Sequence, residues 1–566
     1  MKRQLALSDL PLILSLLVAT VGLALVPVLY VFIGAVREGL FEGHAHFSLR
    51  ALKAVYTTGD YLIPLMNSLR LGAAVTACSV LLGGVLAWII GRTDVPKRRA
   101  LHLMSIMPLF VSSLMGAMAW VNLAAPRSGY LNILLNWLLG GATHVAYLNI
   151  FSFWGIVWCM TFFLTPIAYL LMVSAFQRMD PALEEAAGAC GAGAFHILRH
   201  VTVPILRPAV LAASLYVFVL TVEMFSIPAY LGGSIHFFTL PLVIYVKTTV
   251  YPADYSAAAA TATLLLLVTL LGLYFYRQAT GASERFVTVG ARGYAPRIMK
   301  LGRWRLAAYG FCLLYCFLSV ILPVAALMMS ASLGFNAPTL AWSQFTTDNF
   351  ITVLSSATVL RAIVNTLLLA FLTALGAIAL GMAVVYVNQR TRIPGRGVVD
   401  YISSVPIAVP GIVYATGLLW VYVGTPVYAT LWILLIAYVT RQVPYANRSI
   451  GSGLMQVDSD LEDSAKVCGA NTFQALWLIT LPLLRPALVA TAIFIFLAAV
   501  RELNSSILLY SSKSIVLSVI TWNYMYEGDF NQGSVVALLQ TAVVLVALLA
   551  FRPILRIDLA KNGPSM

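Results

Sequence analysis

Long apolar runs recur along the whole chain, each close to the roughly 20 residues that a helix needs to cross a bilayer, and short polar breaks rich in Gly and Pro separate them. The pattern predicts membrane helices near 11–34, 62–90, 101–124, 152–177, 205–227 and 254–276. A second set follows near 304–330, 361–388, 398–422, 428–453, 487–510 and 532–554. The first run, Pro11 to Gly34, has a basic flank (Met1 to Gln4), but its core is too long for a signal peptide and no small-residue cleavage site follows, so it is expected to remain as a helix. Twelve such runs predict an all-α polytopic membrane protein.

Composition sharpens this picture. Of 566 residues, 61% are hydrophobic and 10% charged, whereas soluble domains carry about a quarter charged residues; a water-soluble enzyme is excluded. The net charge of +14 raises nucleic acid as a partner, but Lys and Arg also collect in the cytoplasmic loops of membrane proteins. With the N-terminus inside, most of the basic residues fall on that face: Arg92 with Lys97 to Arg99, Arg277 through Arg305, and Arg390, Arg392 and Arg396. Orientation accounts for the charge, and no aromatic interleaving points to nucleic acid. The same assignment places both termini in the cytoplasm. The six cysteines lie in apolar runs or cytoplasmic loops, where disulfides rarely persist, and Cys312 and Cys316 read as small buried hydrophobes.

The chain repeats itself. LEEAAGACGAGAFHILRHVTVPILRPA at 183–209 matches LEDSAKVCGANTFQALWLITLPLLRPA at 461–487, an offset of 278. Nearer the start of each half, Asn67-Ser68-Leu69 matches Asn365-Thr366-Leu367, and Arg92-Thr93 matches Arg390-Thr391, at an offset of 298. The first half therefore holds 20 extra residues between these landmarks, expected in the external loop around Pro126 to Asn149. Six spans per half put both copies of the loop on one side of the membrane, which predicts a parallel repeat about an axis along the membrane normal. The halves are 1–280 and 304–566, joined by a polar, Gly-containing cytoplasmic linker at 281–303.

Each copy of the loop opens with helix-start chemistry: Asp180 with Pro181, and Ser459 with Glu462 as a capping box. Acidic and small residues follow (Glu184, Glu185, Ala186, Ala187; Glu462, Asp463, Ser464, Ala465), then a turn at Gly191 or Gly469, then a short segment to Pro204 or Pro482. Small residues permit close approach by another protein.

This layout resembles the cytoplasmic signature of permease subunits in binding-protein-dependent ABC importers: E-A-A, three residues, G, nine residues, I-x-L-P. The first copy reads Glu185-Ala186-Ala187, Gly191, Val201, Val203, Pro204, and the second Asp463-Ser464-Ala465, Gly469, Ile479, Leu481, Pro482. Trp120, Pro126, Gly129 to Asn132, Met179 to Glu185, Gly293 to Arg297 and Leu301 to Arg305 extend the likeness to fused iron(III)-type permeases, a branch also similar to carriers of thiamine, polyamines and aminoethylphosphonate. The resemblance implies the type I ABC importer permease fold in a bacterial inner membrane. It further implies docking of two copies of an ABC ATPase subunit on the two loops, a periplasmic substrate-binding protein outside, and ferric iron as cargo. No G-x-x-x-x-G-K-[ST] sequence is present, so the chain is expected to be a transport subunit without bound cofactor, ATP and Mg residing on the partner. The rival reading is a major-facilitator-type secondary transporter, to which Gly91 to Arg99 is superficially similar; the loop repeat argues against it.

Charges within spans are expensive and mark candidate sites. Glu223 and Glu502 lie 15 and 16 residues after Pro208 and Pro486, at matching depth. With Arg441 and Arg501 they either line a path for a cationic substrate or pair with one another. In the first external loop Glu42, His44 and His46 have the look of metal ligands but need a further partner placed by folding.

Overall fold

The computed structural model describes residues 10–39, 46–139, 145–179, 182–283, 299–335, 342–391 and 395–555. Among these, nine helices are long and apolar enough to cross a bilayer, and two bent pairs meet that test as broken spans. The first half contains α1 (Ser15–Ala35), α2 (Gly59–Arg92), the bent pair α3 and α4 (Arg98–Ile106 and Ser113–Ala124), α5 (Phe153–Arg178), α6 (Ala182–Ala189), α7 (Val203–Glu223), α8 (Leu240–Thr249) and α9 (Tyr255–Ser283). The second contains α10 (Gly302–Ala331), α11 (Ala357–Arg390), the bent pair α12 and α13 (Arg396–Ser404 and Gly411–Tyr422), α14 (Leu431–Leu454), α15 (Ser459–Val467), α16 (Leu481–Val500), α17 (Leu517–Glu527) and α18 (Phe530–Leu555). The twelfth expected span is α14. Its 24 residues give it the length, but Arg441, Gln442, Asn447 and Arg448 make it the most polar of the set.

The repeat is visible element by element. α2 and α11 are both 34-residue helices, and α3–α4 and α12–α13 recur 298 positions apart. Between α4 and α5 lie residues 125–152, against 423–430 in the second half; the extra length sits where the repeat arithmetic puts it and contains a short helix, Tyr130–Leu138. At 1.5 Å per residue α2 and α11 are about 51 Å long, so they outreach a hydrocarbon layer of about 30 Å.

Several expected spans are corrected. The runs 101–124 and 398–422 are not continuous helices: they bend by 94° and 110°, after 3-10 turns at Met107–Phe110 and Val405–Ala408 that begin with Pro108 and Pro406 as first-turn residues. The run 205–227 stops at Glu223 and restarts at Ser226, which puts Pro228 in a first turn, where its missing N–H costs nothing. The run 487–510 stops at Val500, so Glu502 lies beyond the helix. Each π-turn among the described residues, Leu198–Thr202, Phe317–Ile321 and Leu476–Thr480, precedes a proline by two positions (Pro204, Pro323, Pro482). Widening the turn there relieves the clash of the ring with the preceding turn of helix.

The halves interlock. The first span of each half packs both on the last helix of its own half and on the bent span of the other, α1 on α9 and α13, and α10 on α18 and α4. The Tyr414 hydroxyl donates to the Leu23 carbonyl at 2.5 Å, and Gly34 lies so near Trp420 that a Cβ would stand 2.5 Å from the ring. The described end of the linker is also anchored: Met299 bridges Thr93 in parallel, and the Leu301 N–H donates to Asp94 Oδ1 at 3.0 Å.

Candidate functional site: the repeated loops and the central cavity

In each loop a short helix is held against its own half by one carboxylate. Arg92, at the end of α2, places Nη2 2.5 Å from Glu184 Oε2, and the Thr202 hydroxyl, in the π-turn before α7, donates to Glu184 Oε1 at 2.7 Å. In the second half Arg390 Nε stands 3.4 Å from Glu462 Oε1, which accepts from Thr480 at 2.7 Å, while the Tyr386 hydroxyl donates to Glu462 Oε2 at 3.2 Å. One clamp thus joins three elements twice over: the long helix, the loop helix, and the foot of the next span. Arg92 is 3% exposed and Glu462 2%.

The clamps sort the residues chosen from sequence. Glu184 and Glu462 turn inward, whereas Glu185, Ala186, Asp463 and Ser464 are exposed and Ala187 and Ala465 half-buried. Gly191 and Gly469 close the loop helices at φ +84° and +93°, each inside paired hydrogen bonds that end the helix (Ala192 N–H to Ala187 O at 3.1 Å, Ala470 N–H to Ala465 O at 3.0 Å). The expected capping box of Ser459 and Glu462 is not formed. Asp458 caps α15 instead, its carboxylate accepting from the Asp460 N–H, because Glu462 is engaged by Arg390 and Thr480. Asp180 and Pro181 lie outside the described residues. Pro204 and Pro482 follow the π-turns. Reasoning from sequence missed Arg92 and Arg390 as partners; their recurrence at an offset of 298 was the available signal.

Between the halves lies a cavity of about 510 Å³, whose walls come from both bends, α5, α7, α9, α14 and α16. Glu223, Glu502, Arg441 and Arg501 all line it. Arg441 Nη1 donates to Glu502 Oε1 at 3.0 Å, an oxygen that also accepts from the Ser505 N–H at 3.1 Å. Arg501 donates across the interface to the carbonyls of Leu109 and Val111, which the bend between α3 and α4 leaves without helical donors. Non-helical backbone at membrane depth is tolerated where such partners or a cavity receive it. Glu223 makes no hydrogen bond or ion pair with a described residue, and its half-buried carboxylate faces the cavity with Tyr216, Tyr276 and Tyr445. Of the four, Arg441 and Glu502 pair with one another, Arg501 is held by backbone carbonyls that leave its charge in place, and Glu223 has no direct partner among the described residues.

Glu42 and His44 lie outside the described residues. His46 Nε2 is 3.7 Å from Glu38 Oε2, and no group of three His, Cys, Asp or Glu residues among the described residues is placed to hold a metal ion. All six cysteines are free thiols.

Comparison with known proteins bears on this arrangement. A family model described as "Binding-protein-dependent transport system inner membrane component" matches residues 79–280 and again 373–556. The chain is 23% identical to a protein of Actinobacillus pleuropneumoniae named ferric transport system permease protein FbpB, over 90% of this chain and 74% of that one. It is 23% identical to the Fe(3+)-transport system permease protein FbpB 2 of Haemophilus influenzae, over 94% of this chain and 96% of that one. It is 24% identical to a putative 2-aminoethylphosphonate transport system permease protein PhnV of Salmonella paratyphi A, over 40% of this chain and 86% of that one.

Proposed function

The chain belongs to the family of binding-protein-dependent transport system inner membrane components, one copy in each half, and from that premise we propose that it moves ferric iron from a periplasmic binding protein into the cytoplasm. It is a multi-pass transport subunit, and the secondary-transporter reading is set aside by the family match. The observation that carries iron as cargo is the extent of the likeness: the relatives named for ferric iron match 90% and 94% of this chain, against 40% for the one named for aminoethylphosphonate. The unpaired Glu223 carboxylate supports a cationic cargo.

In this reading both termini and the linker 281–303 lie in the cytoplasm, and two copies of an ATPase that binds ATP and Mg dock on α6 and α15. Their exposed residues, Leu183, Glu185 and Ala186 on one and Leu461, Asp463 and Ser464 on the other, form the contact. Closure of the ATPases pushes α6 and α15, and the Arg92–Glu184–Thr202 and Arg390–Glu462–Thr480 clamps pass that movement to α2, α7, α11 and α16, of which α7 and α16 line the cavity.

The test is uptake by proteoliposomes holding this chain, its ATPase and its binding protein. ATP-dependent accumulation of labelled ferric iron is expected. A second reading, aminoethylphosphonate, is favoured by the three guanidiniums on the cavity wall, Arg441, Arg448 and Arg501, which suit a phosphonate. Uptake of that compound without iron would replace the first reading.

A further inference from the structure

The connector between α6 and α7 carries a feature that the second half lacks. His196 and His200 stand on one side of it with ring centroids 4.1 Å apart and planes 24° from parallel, both exposed. His200 Nδ1 lies 3.2 Å from the His196 backbone oxygen. A carbonyl oxygen only accepts, so in this bond Nδ1 carries the proton and Nε2 keeps its lone pair. Metal-binding histidines are held in one tautomer in this way, by a backbone carbonyl on the far ring nitrogen. Imidazoles four residues apart on one helical face are a recurring zinc-ligand pair. Rings this close suit a single ion about 2.0–2.1 Å from each nitrogen, after a small rotation of the side chains.

We infer that His196 and His200 form a binding site for a divalent first-row transition-metal ion, its remaining positions filled by water. No third His, Cys, Asp or Glu among the described residues completes the set, so the ion is exchangeable, unlike zinc locked in a four-ligand structural site. The repeat isolates its effect. The positions equivalent to His196 and His200 at the offset of 278 are Gln474 and Leu478, so a metal ion staples one loop and leaves the other free. The staple spans the start of the π-turn Leu198–Thr202, which contains the Thr202 of the first clamp, and it stiffens the segment through which α6 acts on α7. This consequence rests on the transport reading proposed above, in which a divalent metal ion in the cytoplasm slows import; the binding itself does not depend on that reading.

The experiment uses the full chain in lipid nanodiscs, free of any histidine tag, and Zn²⁺ as the probe. Calorimetric titration compares the natural chain with a His196→Gln, His200→Leu double variant, which gives the first loop the residues that the second already folds with. The natural chain is expected to bind one Zn²⁺ that the variant binds at least about tenfold more weakly, or 1.4 kcal/mol. Equal affinity and stoichiometry in the two proteins, or no binding by the natural chain, overturns the site. With ATPase and binding protein added, Zn²⁺ should slow ATP hydrolysis in the natural complex and not in the variant. Equal slowing overturns the braking role. Absence of iron uptake without Zn²⁺ would instead count against the transport reading, and the titration would stand apart from it.

Discussion

The clamp at Arg92 makes a quantitative prediction. Replacing Arg92 with Met removes the guanidinium and keeps much of the buried stem. Breaking a fully buried ion pair from one side costs about 3–5 kcal/mol. The Glu184 side chain is 17% exposed and retains the Thr202 hydroxyl, so the loss belongs at the lower end, about 3 kcal/mol. At 1.4 kcal/mol per tenfold, the equilibrium between seated and released α6 shifts by roughly a hundredfold. Hydrogen exchange measured on the protein in nanodiscs reports this directly: amides of 182–189 should exchange about two orders of magnitude faster, while those of 459–467 keep their protection. Arg92→Lys should restore most of it, since a single charged contact to Glu184 suffices. Arg390→Lys should not, because Arg390 Nη2 also donates to the Val457 carbonyl at 2.5 Å and to the Leu454 carbonyl at 3.3 Å, which one ammonium does not reproduce together with Glu462. Unchanged exchange of α6 in Arg92→Met, or equal acceleration of both loops, refutes the local clamp.

Other consequences follow from the cavity and the turns. Glu502→Gln removes the counter-charge of Arg441 and, both side chains being under a fifth exposed, should lower stability in detergent by about 3 kcal/mol, whereas Glu223→Gln should leave stability unchanged and depress iron uptake; the same melting shift in both would contradict the assignment of roles. Gly411→Ala places a Cβ inside the Arg441 guanidinium and should cost about 1–3 kcal/mol by overpacking, read as a melting shift in the direction of Glu502→Gln. At Gly191 a Cβ meets nothing within 4 Å, but φ is +84°, so Gly191→Ala should cost about 1–2 kcal/mol and weaken ATPase association roughly tenfold in a pull-down titration; an undiminished affinity would show that the loop tolerates another turn.

The repeat was legible because Cys-Gly, the Leu-Arg-Pro run and their spacing survive in both halves, and spacing is a property of sequence. The spans were legible as apolar lengths, and even the polar α14 stood out between its neighbours. Direction was not. Pro108 and Pro406 sit in runs whose hydropathy is unaffected by a bend, and the reason the bend holds, Arg501 donating to Leu109 and Val111, comes from a residue about 390 positions away. Polarity alone places Glu184 and Glu462 on the surface with Glu185 and Asp463. Their burial depends on Arg92, 92 positions upstream, and on Arg390, which belong to a different block of the repeat. The four membrane charges were found by their rarity, but which of them lacked a partner depended on where α16 ends.

The interlock of the halves has a bearing on how the protein is made. The Tyr414 hydroxyl meets the Leu23 carbonyl across 391 positions. At about 5–20 residues per second, a ribosome takes roughly 20–80 s to synthesise that interval. Throughout it α1 rests in the bilayer with lipid against the groove at Pro27 and Gly34 that Gly417 and Trp420 later fill. Two separately encoded halves would have to find one another by diffusion to close that groove. A continuous chain makes the meeting intramolecular, at an effective concentration on the order of millimolar for a flexible tether, and ensures that every early span is matched by a late one from the same message.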